Sequence, residues 1–276
     1  MENKIEKNIK ILGFPRSNFG ERDVEIFKEI GYEVSTCSVR LSYSPLKYFR
    51  DLFHSTQGFK GYKKLKDIDV FFSWWAISLD VVLLSKIFRK SCIIVAGGGE
   101  VETSNDLPKE YLSYSHSSLF KKLIIKLALK FADKVISVSN YTKENANKIA
   151  KNPTNEVVYN VIYTETFKPV KVEKKPYILT VCWMSKLRMN TKGILPLLEA
   201  FNKIVANHPE YHLVYLGDEF ESLGAREIIK KRAEELKISN NVIFMDFFKT
   251  NEEYVKFLNQ CKIYVQYSQN ETFGVA

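Results

Sequence analysis

The sequence predicts an α/β protein of two consecutive domains, each a parallel sheet covered by helices on both faces. Three observations carry this. Short runs rich in β-branched residues alternate with helical patterns along the whole chain, which is how β-α-β units read. The alternation pauses at a charged stretch, residues 166–176, that holds Pro169 and Pro176, and then restarts. The chain has 276 residues, more than a typical domain of about 100–200. The expected boundaries are 1–165, a linker over 166–176, and 177–276.

In the first domain, residues 8–14 are an apolar run and form the first strand. A loop, PRSNFG, follows, then a helix over 21–30 that Gly31 stops, then a strand over 32–39. Residues 69–76 read as a strand, followed by a helix through Phe88. The span 70–88 is the most apolar in the chain. Asp80 lies at its centre, Lys86 near its end, and Ser73, Ser78 and Ser85 interrupt it. A membrane span needs about 18 or more apolar residues without such interruption, so this span reads as strand and helix. Residues 91–96 form a buried strand that ends in Gly97-Gly98-Gly99. Short strands over 135–139 and 157–160 flank a helix over 141–150.

The second domain has strands over 177–181, 211–217, 242–245 and 263–267. Its helices are predicted over 194–207, 224–236 and 252–259. Two such domains would enclose a cleft facing the carboxyl ends of their strands. The chain stops at Phe273-Gly274-Val275-Ala276, where a further helix should start, so the second domain reads as incomplete and the chain as a fragment of a longer protein.

Composition excludes several classes. Hydrophobic residues make up 45% and charged residues 26%, ordinary values that exclude disorder, collagen and a disulfide scaffold. The four cysteines (Cys37, Cys92, Cys182, Cys261) are far apart, which suits buried thiols in a reducing cytoplasm and not a zinc site. Residues 1–10 are charged and lack the apolar core of a signal peptide. The net charge of +9 is uneven: residues 1–175 hold 29 Lys and Arg against 20 Asp and Glu, whereas residues 176–276 hold 12 of each. This excess suits a solvated surface or an anionic partner. Residues 119–131, LFKKLIIKLALKF, set Lys122, Lys126 and Lys130 beside an apolar stripe of Leu119, Leu123, Leu127 and Phe131. Such a basic amphipathic helix packs on its own domain or lies on an anionic bilayer. No nucleic-acid recognition motif accompanies the charge.

Chemistry-bearing motifs concentrate in the second half: ILTVCWMSKLRMNTKG, LLEAF, YHLVYLGDE, NVIFMDF and YVQYSQNETFG. Their order and spacing resemble the nucleotide-binding half of family 4 glycosyltransferases, which have the GT-B fold of two Rossmann-like domains facing across a cleft. The final loop opens that family's E-x7-E motif. The first half carries further matches: DIDVFFSWWA, IIVAGGGEV, ADKVISVSNYTKEN and YNVIYTETFKP, the last keeping Asn160, Phe167 and Pro169.

The resemblance implies a retaining enzyme that moves a hexosyl unit from a UDP- or GDP-sugar to an acceptor hydroxyl. It assigns Lys192 to the donor diphosphate, whose charge grows as the glycosidic bond breaks. It sets Glu271 against the donor sugar; these two are the candidate catalytic residues. Gly217, Asp218, Phe273 and Gly274 join them on the donor side. Gly97, Gly98, Gly99, His116 and the loop from Phe14 to Gly20 lie on the acceptor side, where a tight turn and an idle loop histidine are the plain alternatives. The expected acceptor is a sugar, lipid-linked or anionic molecule, and the expected location is the cytoplasm or the inner membrane face. Neither a cofactor nor a metal is expected: Asp67-Ile68-Asp69 spells D-x-D but precedes a strand, whereas the metal-binding form follows one.

Departures from the family are specific. Cys182-Trp183 replaces the usual Gly-Arg, leaving Lys186 or Arg188 to share the diphosphate charge. Val161 and Tyr163 replace the Gly and Asp of the interdomain segment. The second glutamate of E-x7-E would fall at position 279. A non-catalytic nucleotide-sugar-binding remnant, or another GT-B enzyme such as a sugar-nucleotide epimerase or a phosphorylase, are the alternatives.

Overall fold

A computed structural model describes residues 7–14, 17–37, 65–107, 113–219, 224–274 and 276. The chain divides into two compact units, Met1–Asn160 and Val161–Ala276.

The first unit is built on six strands: β1 (Lys7–Phe14), β2 (Tyr32–Thr36), β3 (Val70–Trp74), β4 (Ser91–Ala96), β5 (Lys134–Ser137) and β6 (Asn155–Val157). They lie in the order β2-β1-β3-β4-β5-β6, every pair parallel. The helices are α1 (Asn18–Glu29), α2 (Leu79–Phe88), α3 (Leu119–Phe131) and α4 (Asn140–Ile149). Hydroxyl caps set three of their starts: Ser17, Ser118 and Ser139 accept from the backbone N–H of Gly20, Lys121 and Thr142. Gly31, at φ 94°, turns the chain out of α1 into β2. Phe14, Phe71, Ile94, Val135, Ile125 and Leu129 fill the core.

Three polar ties fix this sheet. Asp69 accepts from the Lys10 N–H at 2.9 Å, joining the amino ends of β3 and β1. The D-x-D pair therefore sits at the amino edge of the sheet, away from the strand ends that form ligand sites. Asp133, after α3, accepts from the Cys92 N–H at 2.9 Å and from Lys86 at 2.6 Å. Asn152 donates to the last carbonyls of α3, those of Leu129 and Ala132.

The second unit has β7 (Lys175–Val181), β8 (His212–Leu216), β9 (Val242–Met245) and β10 (Cys261–Tyr264), in the order β10-β7-β8-β9, all parallel. Its helices are α5 (Lys186–Met189), α6 (Ile194–Val205), α7 (Ala225–Glu235) and α8 (Asn251–Gln260). Strand alternation divides the core between two faces. Ile178, Leu213 and Tyr215 pack with Leu198, Phe201 and Ile229 of α6 and α7. Leu179, Val181, Val214 and Leu216 point the other way and pack with Phe257 of α8.

The strand expected over 157–160 is instead Asn155–Val157, and the last strand starts at Cys261 and not at 263. Residues 70–88 form β3 and α2, and no helix among the described residues is long and apolar enough to cross a membrane. The strand expected over 32–39 is observed to Thr36, and its last two residues lie outside the described residues, as do residues 15–16 of the loop after β1.

Candidate functional site

The strand order places the site. In the second sheet the chain moves from β7 to β8 to β9 on one side, then returns to lay β10 on the other side of β7. The strand order therefore reverses at β7 and β10, and such a switch point is the usual ligand position in parallel sheets.

Lys192 and Glu271 meet there. Lys192 lies in the Thr191-Lys192-Gly193 turn that starts α6, and Gly193 holds the left-handed conformation (φ 60°) at the helix cap. A side chain on Gly193 would overlap the Tyr267 carbonyl. That tight fit lets the loop after β10 lie on the turn, where the Gln269 N–H donates to the Thr191 carbonyl at 2.8 Å. Lys192 Nζ is then ion-paired with Glu271 Oε1. The same oxygen accepts from Ser268 Oγ at 2.9 Å and Gln266 Nε2 at 3.0 Å. A cation at a helix N-terminus, beside a carboxylate held by three donors, can take a phosphate and a hydroxyl side by side. Gly274 follows with φ 72° and open space around it, and Phe273 is half-buried beside it. Arg188 lies on α5, and its side chain is outside the described residues.

Gly217-Asp218 ends β8. Gly217 adopts φ 149°, and a side chain there would overlap the Cys182 carbonyl. The β7–β8 ladder continues past the strands through Cys182 N–H to Leu216 O and Met184 N–H to Asp218 O, each 3.0 Å. The Asp218 carboxylate accepts from the Phe247 N–H at 3.1 Å, so this aspartate orders the loop after β9. Arg226, on the first turn of α7, donates to the Gly217 carbonyl at 2.9 Å and pairs with Asp246. Among the described residues its Nε is buried without a hydrogen-bond partner.

In the first unit the glycine-rich turn after β4 is closed by its own carboxylate. Buried Glu100 accepts from the N–H groups of Gly97 (2.8 Å), Gly98 (3.0 Å) and Ala76 (3.3 Å). Burial raises the Glu100 carboxyl above its ordinary value, against those three donors. Gly97 sits under the Trp75 ring, which leaves no room for a side chain. Gly99 opens a single 3-10 turn over Gly99–Val101. The N–H groups of Gly97 and Gly98, expected on the acceptor side, are thus held by Glu100. His116 is half-buried, with Nδ1 3.0 Å from Ser113 Oγ.

The structure brings Lys192 and Glu271, expected on the donor side, into contact with each other and with two neighbours that the sequence does not single out. Gln266 and Ser268 carry no motif signal beyond adjacency to Glu271. Arg226 is 34 residues from Lys192 on another helix, and only the fold returns it to the strand ends. Among the described residues no group of three or more His, Cys, Asp or Glu could hold a metal ion.

The family model described as "Glycosyl transferases group 1" matches residues 162–276. No curated protein matches the chain. Solved structures do. Anabaena Alr3699/HepE in complex with UDP is 15% identical, with a TM-score of 0.67 over 95% of this chain and 74% of that one. The lipopolysaccharide outer core galactosyltransferase WaaB, apo form, is 18% identical, with a TM-score of 0.57 over 96% and 75%. A putative UDP-N-acetylglucosamine 2-epimerase from Listeria monocytogenes is 12% identical, with a TM-score of 0.54 over 93% and 73%. Likeness at this identity establishes the fold, which is α/β of the GT-B type.

Proposed function

We propose, for a chain whose residues 162–276 form a group 1 glycosyl transferase domain, that it serves retaining transfer of a hexosyl unit from a nucleotide diphosphate sugar to an acceptor hydroxyl. One observation carries the reading: Lys192 and Glu271, 79 residues apart, are paired at the switch point of the second sheet beside the start of α6.

The chemistry follows from charge. As the bond from the sugar to the diphosphate breaks, negative charge accumulates on the leaving oxygen. The Lys192 ammonium and the amino end of α6 both stabilise that charge. Glu271, released from Lys192 by the incoming phosphate, accepts a hydroxyl of the donor sugar. The departing phosphate lies on the face from which the acceptor approaches and takes the acceptor's proton, so no side-chain base is assigned.

The acceptor is lipid-linked or anionic, on two grounds. The basic excess lies in residues 1–175. The stripe that faces solvent on α3 is also the apolar one: Leu119 is 86% exposed, Leu123 51% and Phe131 50%, beside Lys126 and Lys130. The helix packs instead through Ile124, Ile125, Ala128 and Leu129. On α2, which packs against α3, Ile87 is also exposed, at 70%. An apolar face edged by lysines suits the surface of an anionic bilayer.

The testing experiment is incubation of the protein with UDP- and GDP-sugars and an acceptor lipid extract, followed by mass analysis. A new glycoside supports the reading. An epimerised nucleotide sugar would instead favour the epimerase reading, which the likeness to the Listeria protein keeps in view.

A further inference from the structure

The loop after β10 is fixed at two points, and its side chains are tied to one another. The β10–β7 ladder continues past the strand through Val265 N–H to Leu179 O at 2.8 Å, and Gln269 N–H donates to Thr191 O at 2.8 Å. Gln266 and Ser268 lie between these two points, and Glu271 lies two residues beyond the second. A line of hydrogen bonds runs through them. The Tyr264 hydroxyl donates to Gln266 Oε1. Gln266 Nε2 donates to Ser268 Oγ at 2.6 Å and to Glu271 Oε1 at 3.0 Å. Ser268 Oγ donates to Glu271 Oε1 at 2.9 Å.

Donor and acceptor chemistry fixes the direction of this line. Glu271, paired with Lys192, is a carboxylate and only accepts, so the Gln266 amide must turn its nitrogen toward it. The amide oxygen then faces the Tyr264 hydroxyl, which supplies the proton that it needs. Partial burial pushes the Tyr264 phenol up to about 12, so it remains a donor at neutral pH. Carboxylate and tyrosine thus set the two ends of the amide, and a flip would break both contacts.

The ties on Glu271 differ in kind. Lys192 is the group that a diphosphate attracts, so its contact with Glu271 is exchanged when the donor arrives. Gln266 and Ser268 carry no charge and stay with the carboxylate. They are what holds Glu271 in place during transfer.

We infer that Gln266, oriented by Tyr264, is a positioning residue of the donor-sugar site: it holds Glu271 Oε1 so that Oε2 meets a hydroxyl of the sugar. This rests on the donor reading of Lys192 and Glu271. Gln266 acts through Glu271, so its loss costs recognition of the sugar and spares the nucleotide.

The test is calorimetry on the whole chain with UDP, GDP, UDP-glucose, UDP-galactose, UDP-N-acetylglucosamine and GDP-mannose. The quantity read is the affinity of each sugar nucleotide relative to its bare nucleotide. Gln266→Ala is expected to lower this ratio about fivefold with UDP or GDP unchanged, the scale of one hydrogen bond. Gln266→Glu keeps the shape but sets a second carboxylate against the first, and is expected to lower the ratio further. In a Glu271→Ala background, Gln266→Ala should change nothing more, because its route to the sugar is gone. Tyr264→Phe should give a smaller loss than Gln266→Ala and none in addition to it. An unchanged ratio in Gln266→Ala overturns the inference. So does an equal loss of bare and sugar nucleotide, which marks a general disturbance of the loop, and so does a loss that persists without Glu271. A Tyr264→Phe loss that adds to that of Gln266→Ala overturns the orientation by Tyr264. If the wild-type chain binds a bare nucleotide but no sugar nucleotide, the sugar site falls and Gln266 with it, while the phosphate site at Lys192 stands. If it binds none of these, the donor reading itself falls, and the inference with it.

Discussion

The carbonyl oxygen of Tyr267 occupies the space that a side chain on Gly193 would need. The turn bearing Lys192 and the loop bearing Glu271 fit together only because residue 193 has no Cβ. Gly193→Ala must therefore both adopt an unfavourable φ of 60° and push the loop away. The expected cost is about 1–3 kcal/mol of stability, with a loss of donor affinity. Urea unfolding and nucleotide titration measure the two. Gly274→Ala is the control: its φ is 72°, but its Cβ would meet nothing, so it carries the conformational cost alone.

Lys192→Ala and Glu271→Ala are each expected to slow sugar transfer by roughly 10²–10³, the scale of losing one donor to a developing charge. Affinity for UDP should fall with Lys192→Ala and change little with Glu271→Ala, since only the lysine faces phosphate. Single-turnover transfer assays are the check. Near-normal rates in either variant would count against its role.

Membrane contact through α3 predicts sedimentation with phosphatidylserine vesicles at low salt and little with phosphatidylcholine. Replacing Lys122, Lys126 and Lys130 by Glu should abolish it, each lysine contributing about 1 kcal/mol. Leu119→Ser and Phe131→Ser should weaken it without unfolding the protein, because both side chains are exposed. Binding that is indifferent to lipid charge would sink the idea.

Glu100 predicts a pH dependence of stability. Burial raises its carboxyl in the folded state. A raised acid favours the protonated form, so its contribution is fully present below the unfolded value and is lost as pH rises through the folded one. Glu100→Gln cannot titrate, so the slope of stability against pH should flatten from the ordinary carboxylate range upward. Its amide also sets an N–H against one of the backbone donors of Gly97, Gly98 and Ala76, so the variant should be less stable at acid pH. An unchanged slope in denaturant titrations would refute the assignment.

Burial also pushes the Cys92 thiol up to about 12. It should stay protonated and resist iodoacetamide at pH 8, and its labelling should follow global unfolding. Mass analysis of labelled peptides tests this.

Where local pattern decides the structure, the sequence reads well. Ser91–Ala96, Val242–Met245 and Leu119–Phe131 have the bounds that hydrophobic periodicity and caps indicate. Long-range geometry is harder. The strand Asn155–Val157 starts at a buried asparagine that accepts from Ser137 Oγ at 2.8 Å, and a polar residue disguises a strand start. On α3 two apolar stripes compete. Only tertiary packing decides that Ile124, Ile125, Ala128 and Leu129 turn inward and Leu119, Leu123 and Phe131 outward. The motifs single out Lys192 and Glu271 as candidates, and only the sheet order brings them together. Glu100 closing the glycine-rich turn was hidden because a glutamate after three glycines reads equally as a ligand contact and as a clamp.

The return of β10 to the far side of β7 has a consequence for how the protein is made. Lys192 leaves the ribosome 79 residues before Glu271, and all four strands of the second sheet, β10 last, precede the loop that carries the carboxylate. Contacts so distant in sequence close late, after local elements have formed. The core around Leu198, Phe201 and Tyr215 can therefore assemble while the lysine still has no counter-ion. A nucleotide at cellular concentration would meet a half-built site first, and its phosphates would favour the final docking step. Donor binding is thus expected to speed completion of the second unit, with the nucleotide acting as a template for the last strand.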